Sequence, residues 1–122
     1  MIKTAAAIMT ALVAAEHLGI LVLEMFFWDH AIGRQIFSMT PEFSQASRVL
    51  AMNQGLYNGF LAAGLIWGLI SNRIDVRVFF LACVVVAGVF GGLTVKPSIF
   101  LTQATPALIA LVANLLIRRT QN

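Results

Sequence analysis

Three long stretches without a charged residue constrain this chain more than any other feature. They contain 24, 18 and 21 residues and run from Val49 to Asn72, from Val78 to Val95 and from Pro97 to Ile117. A helix needs about 20 apolar residues to cross the hydrocarbon core of a bilayer. Each stretch therefore predicts a membrane-spanning helix, with limits near 48–71, 77–95 and 98–117.

The composition excludes a soluble domain and makes the lipid bilayer the predicted partner. Of the 122 residues, 60% are apolar and 11% are charged, whereas about a quarter of the residues of a soluble domain are charged. A body of this size in water cannot hide so much apolar surface. The eight basic residues are scattered, so we predict no nucleic-acid partner. The lone Cys83 lies in an apolar stretch and reads as a small hydrophobic residue.

A further span is predicted at about 4–28, although ionisable residues interrupt it. The alternative is a cleaved signal peptide, because Lys3 provides a basic start and Ala14 and Ala15 are small residues suited to cleavage. The apolar pattern resumes directly afterwards, however, and it ends at Trp28, a residue type common at membrane interfaces. We therefore predict four spans.

Short connections order these spans. Residues 73–77 separate the second from the third, and Lys96 alone separates the third from the last, so consecutive spans are antiparallel neighbours. Residues 1–122 are thus predicted to form a single integral membrane domain. Its fold class is all-α, a four-helix transmembrane bundle with up-down-up-down topology.

The loop between the first two spans carries helix signals of its own. Thr40 is suited to cap a helix that begins at Pro41, which would measure about 45 Å if it ran to Ile70. Three apolar residues earlier in the loop share one helical arc: Ile32, Ile36 and Phe37. This pattern favours a short helix on the outer membrane surface, with an ordinary loop as the alternative.

The basic residues predict the orientation. With a cytoplasmic amino terminus, five of them lie inside: Lys3, Arg73, Arg77, Arg118 and Arg119. The other three lie outside: Arg34, Arg48 and Lys96. Because cytoplasmic loops carry an excess of basic residues, we predict a bacterial inner-membrane protein with both termini in the cytoplasm. A dual-topology protein would show a weaker bias.

Polar side chains inside the spans mark the candidate site. An acidic group within a span costs about 2.5 to 3.5 kcal/mol and persists mainly where it faces protein, water or a ligand. Two acidic side chains and a histidine lie within about 100° of one another around the first span: Glu16, Glu24 and His17. Four hydrogen-bonding side chains lie within about 140° around the second: Asn53, Gln54, Tyr57 and Asn58. The last span adds Gln103, and the pattern predicts one polar pocket in the outer half of the bundle.

Two further patterns concern packing. Pro106 removes a backbone donor inside the last span, so it is expected to bend the helix and free the carbonyl of Thr102. Three pairs of glycines recur at a spacing of four: Gly55 and Gly59, Gly64 and Gly68, Gly88 and Gly92. Small residues at this spacing allow close helix contacts, either within the chain or between copies in a homo-oligomer.

The predicted function is the binding of a small, partly apolar ligand in the polar pocket. The alternatives are a proton-coupled small-molecule transporter, a membrane-embedded isomerase or epimerase using Glu16 and His17, with Glu24 as a further catalytic candidate, and a purely structural polar network. We predict no metal site, because Glu16 and His17 are adjacent and point about 100° apart, and no second helix supplies an acid or a histidine. No cofactor is predicted.

Several motifs resemble those of a family of small bacterial integral membrane proteins, domain of unknown function 1304. They are Ala14-Ala15-Glu16-His17, the stretch from Leu23 to Trp28, the stretch from Asn53 to Gly64, and Gln103 with Pro106-Ala107. The resemblance spans almost the whole chain and implies a four-span bundle without supplying a mechanism. In outline the chain is also similar to small multidrug exporters, but His17, Glu24 and the amide-rich second span depart from their pattern.

Overall fold

The computed structural model describes residues 1–121, and all of the regular structure in that part of the chain is helical. Its elements are α1 (Ile2–Phe26), α2 (Ala31–Ile36), α3 (Pro41–Ile70), α4 (Ile74–Thr94), a π-helical segment (Phe100–Ala104) and α5 (Thr105–Gln121). The helices α3, α4 and α5 include most of the uncharged stretches, because a long apolar sequence in lipid satisfies its backbone groups within one helix.

Three of the helical segments described are long and apolar enough to cross a membrane: Ile2–Phe26, Ile74–Thr94 and Phe100–Thr120. The long helix α3 is not among them. Its amide side chains, together with charged residues in its first turns, lower its mean hydropathy. The composition of these helices marks a membrane protein.

The predicted start of α3 is confirmed. The helix begins at Pro41, and Thr40 Oγ1 accepts a hydrogen bond from the backbone N–H of Phe43 at 3.2 Å. Proline suits this first position because its missing N–H would have no partner there. The helix runs 30 residues to Ile70. The predicted short helix in the preceding loop is also present as α2, with the His30 side chain accepting from the N–H of Ile32.

The end of α3 shows a feature that the sequence did not reveal. Asn72 has a φ of 51°, and the N–H of Arg73 returns to the carbonyl of Gly68 at 3.0 Å, a left-handed helix termination. Arg77 was predicted to belong to the connection, on the cytoplasmic side, and that side stays a prediction. It lies in the first turn of α4, is only 6% exposed, and donates from Nε to the Gly68 carbonyl at 2.9 Å. Its guanidinium caps carbonyls that a helix end leaves without intrahelical donors.

The last span contains a π-helical turn that the sequence did not reveal, and the bend predicted at Pro106 stays a prediction. A π-helical segment, Phe100–Ala104, precedes α5, and Pro106 is the second residue of α5. Both the backbone N–H and the Oγ1 of Thr105 bond to the carbonyl of Phe100, the hydroxyl at 2.8 Å. The wider π-helical turn is closed at Thr105, the residue before Pro106, and in this way accommodates the missing N–H of the proline.

The chain divides into two compact units. One contains residues 1–15 and the chain from Leu61 onward, and the other contains residues 16–60. The core of the first unit is apolar and is formed by Val13, Ala14, Leu65, Leu81, Val84, Ala107 and Ala110. Because α1 and α3 each pass from one unit into the other, each of these helices contributes residues to both.

The paired glycines lie at close contacts within the chain. A Cβ on Gly88 would lie 2.8 Å from the backbone N of Ala104, and one on Gly92 would lie 2.7 Å from the ring of Phe100. In the same unit Gly64 faces the ring of Phe80. The prediction of tight small-residue contacts is therefore confirmed, and the partners of these faces belong to the chain itself.

Candidate functional site

Two residues of the candidate site, Glu24 and Asn58, meet between α1 and α3 in the unit formed by residues 16–60. Glu24 is 7% exposed, and its Oε2 accepts a hydrogen bond from Nδ2 of Asn58 at 2.9 Å. The same Nδ2 lies 3.3 Å from the carbonyl of Gln54, within the helix that carries Asn58. A carboxylate and an amide 34 residues apart in sequence thus form one partly buried polar pair.

A glycine brings the two helices close enough for this pair. A Cβ on Gly55 would lie 2.8 Å from Cγ of Met25 and 3.0 Å from Cβ of Glu24. Gly59, one turn later, faces the side chain of Leu21. A larger residue at Gly55 would push α3 away from α1, so this glycine positions Asn58 against the carboxylate.

Glu16 and His17 lie on α1 about two turns before Glu24. At 1.5 Å per residue, Glu16 is about 12 Å from Glu24 along the helix axis. Glu16 is half-buried, and His17 is fully buried. The two carboxyl groups are therefore separated along the helix, and a shared polar face that includes both stays a prediction.

Three of the predicted site residues on α3 are exposed. Asn53 and Gln54 are exposed, and Tyr57 is 58% exposed with its ring edge against Phe60. The packed side of α3 is centred on Ala51, Gly55 and Gly59, at about 160° to 240° from Asn53. Asn58 lies at the edge of that side, which is why it alone of the four amide and phenol residues pairs with Glu24.

Gln103 lies in the π-helical segment and is half-buried. That segment belongs to the other unit of the chain. The structure thus brings Glu24 and Asn58 into contact. The single pocket containing all eight residues stays a prediction. Among the residues described, no three His, Cys, Asp or Glu side chains are grouped so that they could hold a metal ion.

A second polar cluster, which the sequence analysis missed, lies where α1, α2 and α3 are connected. Oδ1 of Asp29 accepts from the hydroxyl of Ser44 at 2.7 Å and from Nη1 of Arg34 at 3.0 Å. The Ser44 hydrogen bond, aided by the charges of Arg34 and Arg48, holds the pKa of Asp29 below its ordinary value against the opposing effect of desolvation. The indole N–H of Trp28 donates to Ser47 at 2.9 Å. The signal in the sequence was a serine in each of the first two turns of α3.

A third polar contact, also missed, is buried in the other unit. Nδ2 of Asn114 donates to the hydroxyl of Thr10 at 3.1 Å and to the carbonyl of Ala110 at 2.8 Å, and both Asn114 and Thr10 are fully buried. The hydroxyl of Thr10 in turn donates to the carbonyl of Ala6. This contact links the amino-terminal half of α1 to α5, and its single asparagine is the kind of interhelical polar contact that packs membrane helices.

Comparison with known proteins gives a family and one relative. The profile of a family described as protein of unknown function (DUF1304) matches residues 11–115. An uncharacterized protein YpaA from Lactococcus lactis subsp. lactis (strain IL1403) is 32% identical over 111 residues, which cover 88% of this chain and 93% of that protein. No solved structure matches the chain.

Proposed function

The chain belongs to the DUF1304 family of proteins of unknown function, and we propose that it binds a small, partly apolar ligand at Glu24 and Asn58 in the outer half of a four-span inner-membrane bundle. The observation that carries the proposal is the burial of Glu24, a residue that is 7% exposed and whose carboxylate accepts a hydrogen bond from one amide. The proposal has three parts: the fourth span, the orientation and the ligand.

The fourth span is α3. It has 30 residues and a length of about 45 Å, which exceeds the hydrocarbon thickness of about 30 Å. From Val49 to its end at Ile70 it carries no charge, so it can cross the bilayer with one end projecting or with a tilt. Its amide side chains are tolerated in a span when they face protein or a ligand. The short helix α2 then lies on the outer surface, between the first and second spans.

The orientation places both termini in the cytoplasm, as the distribution of basic residues favours. Three isosteric serine-to-cysteine variants on a Cys83→Ala background test it. Ser38→Cys and Ser98→Cys are expected to react with a membrane-impermeant maleimide added to intact spheroplasts, and Ser71→Cys is expected to react only after the membrane is opened. The reverse labelling pattern would contradict the orientation, and equal labelling of all three in intact cells would indicate dual topology.

The ligand follows from the chemistry of the pair. A carboxylate within a span needs donors, and the structure provides one from the amide of Asn58. A ligand that carries an amine or hydroxyl donor would satisfy a second lone pair of the carboxylate. Its apolar part would contact the aliphatic side chains of α1 next to Glu24, such as Met25 and Leu21. The exposed residues Asn53, Gln54 and Tyr57, and also Gln103, are proposed only as additional ligand contacts.

Native mass spectrometry of the purified protein tests the ligand. The wild-type protein is expected to carry a small molecule, and Glu24→Gln is expected to reduce its retention at least tenfold, a change of about 1.4 kcal/mol, because the neutral amide loses the charge-assisted hydrogen bond. Glu42→Gln makes the same chemical change at an exposed position of α3 and is expected to retain the molecule as the wild type does. A wild-type protein without a bound molecule, or equal retention by Glu24→Gln, would contradict the proposal.

Proton-coupled transport is the second candidate, and the placement of Glu16 favours it. Glu16, His17 and Glu24 form a row of ionisable groups along one arc of α1, with about 12 Å between the two carboxyl groups. Such rows are typical of proton relays in membrane proteins. Binding alone needs only Glu24, whereas transport needs both acids. Glu16→Gln therefore separates the two functions, since it would leave ligand retention intact and abolish proton-driven uptake into vesicles.

A further inference from the structure

The carboxyl-terminal part of α5 carries a surface groove with a basic end. The groove is formed by one face of the helix and is lined by Val112, Leu115, Leu116, Arg118 and Arg119. The aliphatic members are between 39% and 47% exposed, so their apolar side chains are not covered by the chain itself. From Val112 to Arg119 the groove extends about 10 Å along the helix axis.

The charges at this end of the helix lack a partner in the described structure. Ion pairs in residues 1–121 join Arg34 to Asp29 and Arg73 to Asp75, and neither Arg118 nor Arg119 takes part in one. All five acidic residues of the chain occur at or before Asp75, so every charged side chain after it is basic. Two adjacent arginines beside exposed aliphatic side chains therefore form a surface that is complementary to an anion with an apolar part.

We propose that this groove binds an anionic phospholipid of the inner leaflet, with its phosphate on Arg118 and Arg119 and the upper part of an acyl chain along Val112, Leu115 and Leu116. Guanidinium groups bind phosphate oxygens in a bidentate geometry that a single ammonium group does not match. Basic residues at the cytoplasmic end of a span are attracted to anionic lipids. The aliphatic positions recur at i, i+3 and i+4, which places them in one row leading to Arg119 at i+7. The choice of the inner leaflet rests on the proposed orientation, with the carboxyl terminus in the cytoplasm, but the proposal does not depend on the ligand at Glu24.

The test uses full-length protein exchanged into vesicles of equal parts phosphatidylglycerol and phosphatidylcholine and then released for native mass spectrometry. The wild type is expected to retain phosphatidylglycerol over phosphatidylcholine. Arg118→Gln with Arg119→Gln is expected to reduce that preference by more than tenfold, since each basic residue near the surface contributes about fivefold. Both positions are exposed, and an unchanged circular dichroism spectrum would show that the helix is intact.

Two control variants make the test specific. Arg48→Gln with Lys96→Gln removes the same net charge from the predicted outer side and is expected to leave the preference unchanged. Leu115→Trp keeps both arginines but fills the groove, and it is expected to reduce phospholipid retention while binding of free inorganic phosphate, measured separately, stays as in the wild type. Equal retention by the double glutamine variant, or equal losses in the outer control, would overturn the proposal. Retention that inorganic phosphate abolishes in every variant would identify a simple anion site instead.

Discussion

Replacing Arg77 with methionine is expected to lower the free energy of unfolding by about 3 kcal/mol. Arg77 is 6% exposed, and its guanidinium donates to the carbonyl of Gly68 at 2.9 Å and to Oδ1 of Asn72 at 3.0 Å. Methionine retains much of the aliphatic volume but leaves both acceptors at the end of α3 without this donor. Unfolding of the purified protein in mixed detergent micelles, followed by circular dichroism, measures the loss.

Arg73 provides the matched control because it is an arginine at the same connection. Its ion pair with Asp75 is about half exposed on both sides, and exposed ion pairs contribute little to stability because solvent screens them. Arg73→Gln is therefore expected to leave the free energy of unfolding close to that of the wild type. Equal destabilisation by Arg77→Met and Arg73→Gln would show that charge at this end, and not the capping hydrogen bonds, is what matters.

Replacing Gly88 with alanine is expected to cost about 2 kcal/mol, although alanine is the better helix former. The added Cβ would lie 2.8 Å from N and 2.9 Å from Cα of Ala104. These are backbone atoms at the end of the π-helical segment, so they cannot move aside as a flexible side chain would. The free energy of unfolding in mixed micelles is again the measurement.

Gly19 is the control for this substitution. An added Cβ there meets nothing within 4 Å, so Gly19→Ala should gain up to about 1 kcal/mol from helix propensity alone. The two alanine variants therefore differ in sign. A Gly88→Ala protein as stable as Gly19→Ala would mean that α4 does not pack closely against the π-helical segment.

Close packing against a glycine also holds the two helices of the candidate site together, and this affects what the variants of that site can show. Gly55 brings α3 within contact of Met25 and Glu24, so a substitution that separates the helices would remove the Asn58 hydrogen bond without touching either polar residue. Loss of ligand in Glu24→Gln is therefore informative only when its unfolding free energy matches that of Glu42→Gln.

The helices could be predicted because the interactions that form them are local. Uncharged length predicted spans within α3, α4 and α5, and an apolar pattern that resumes after Glu16 and His17 predicted α1. The capping chemistry of Thr40 and Pro41 predicted the start of α3. The arc of Ile32 and Ile36 likewise indicated α2. Each of these signals depends on neighbours within a few residues, and the backbone hydrogen bonds that result are equally local.

The site was only partly predictable, because helical periodicity gives angles and not partners. It placed Glu16 and Glu24 on one arc of α1, but it could not choose which side of α3 would pack. That side is decided by the contact of Gly55 with α1, and it selects Asn58 for Glu24 while leaving Asn53 and Tyr57 exposed.

The burial of Arg77 has the same explanation. The sequence determined that a basic residue follows α3, and a charged side chain is expected to be exposed to water. Only the tertiary structure decided that this charge lies at the end of α3, where carbonyls without intrahelical donors and the amide of Asn72 replace the water that a guanidinium loses on burial. Sequence thus determines where helices form, through interactions between near neighbours. Contacts between residues far apart in the chain decide which of the polar side chains on those helices meet.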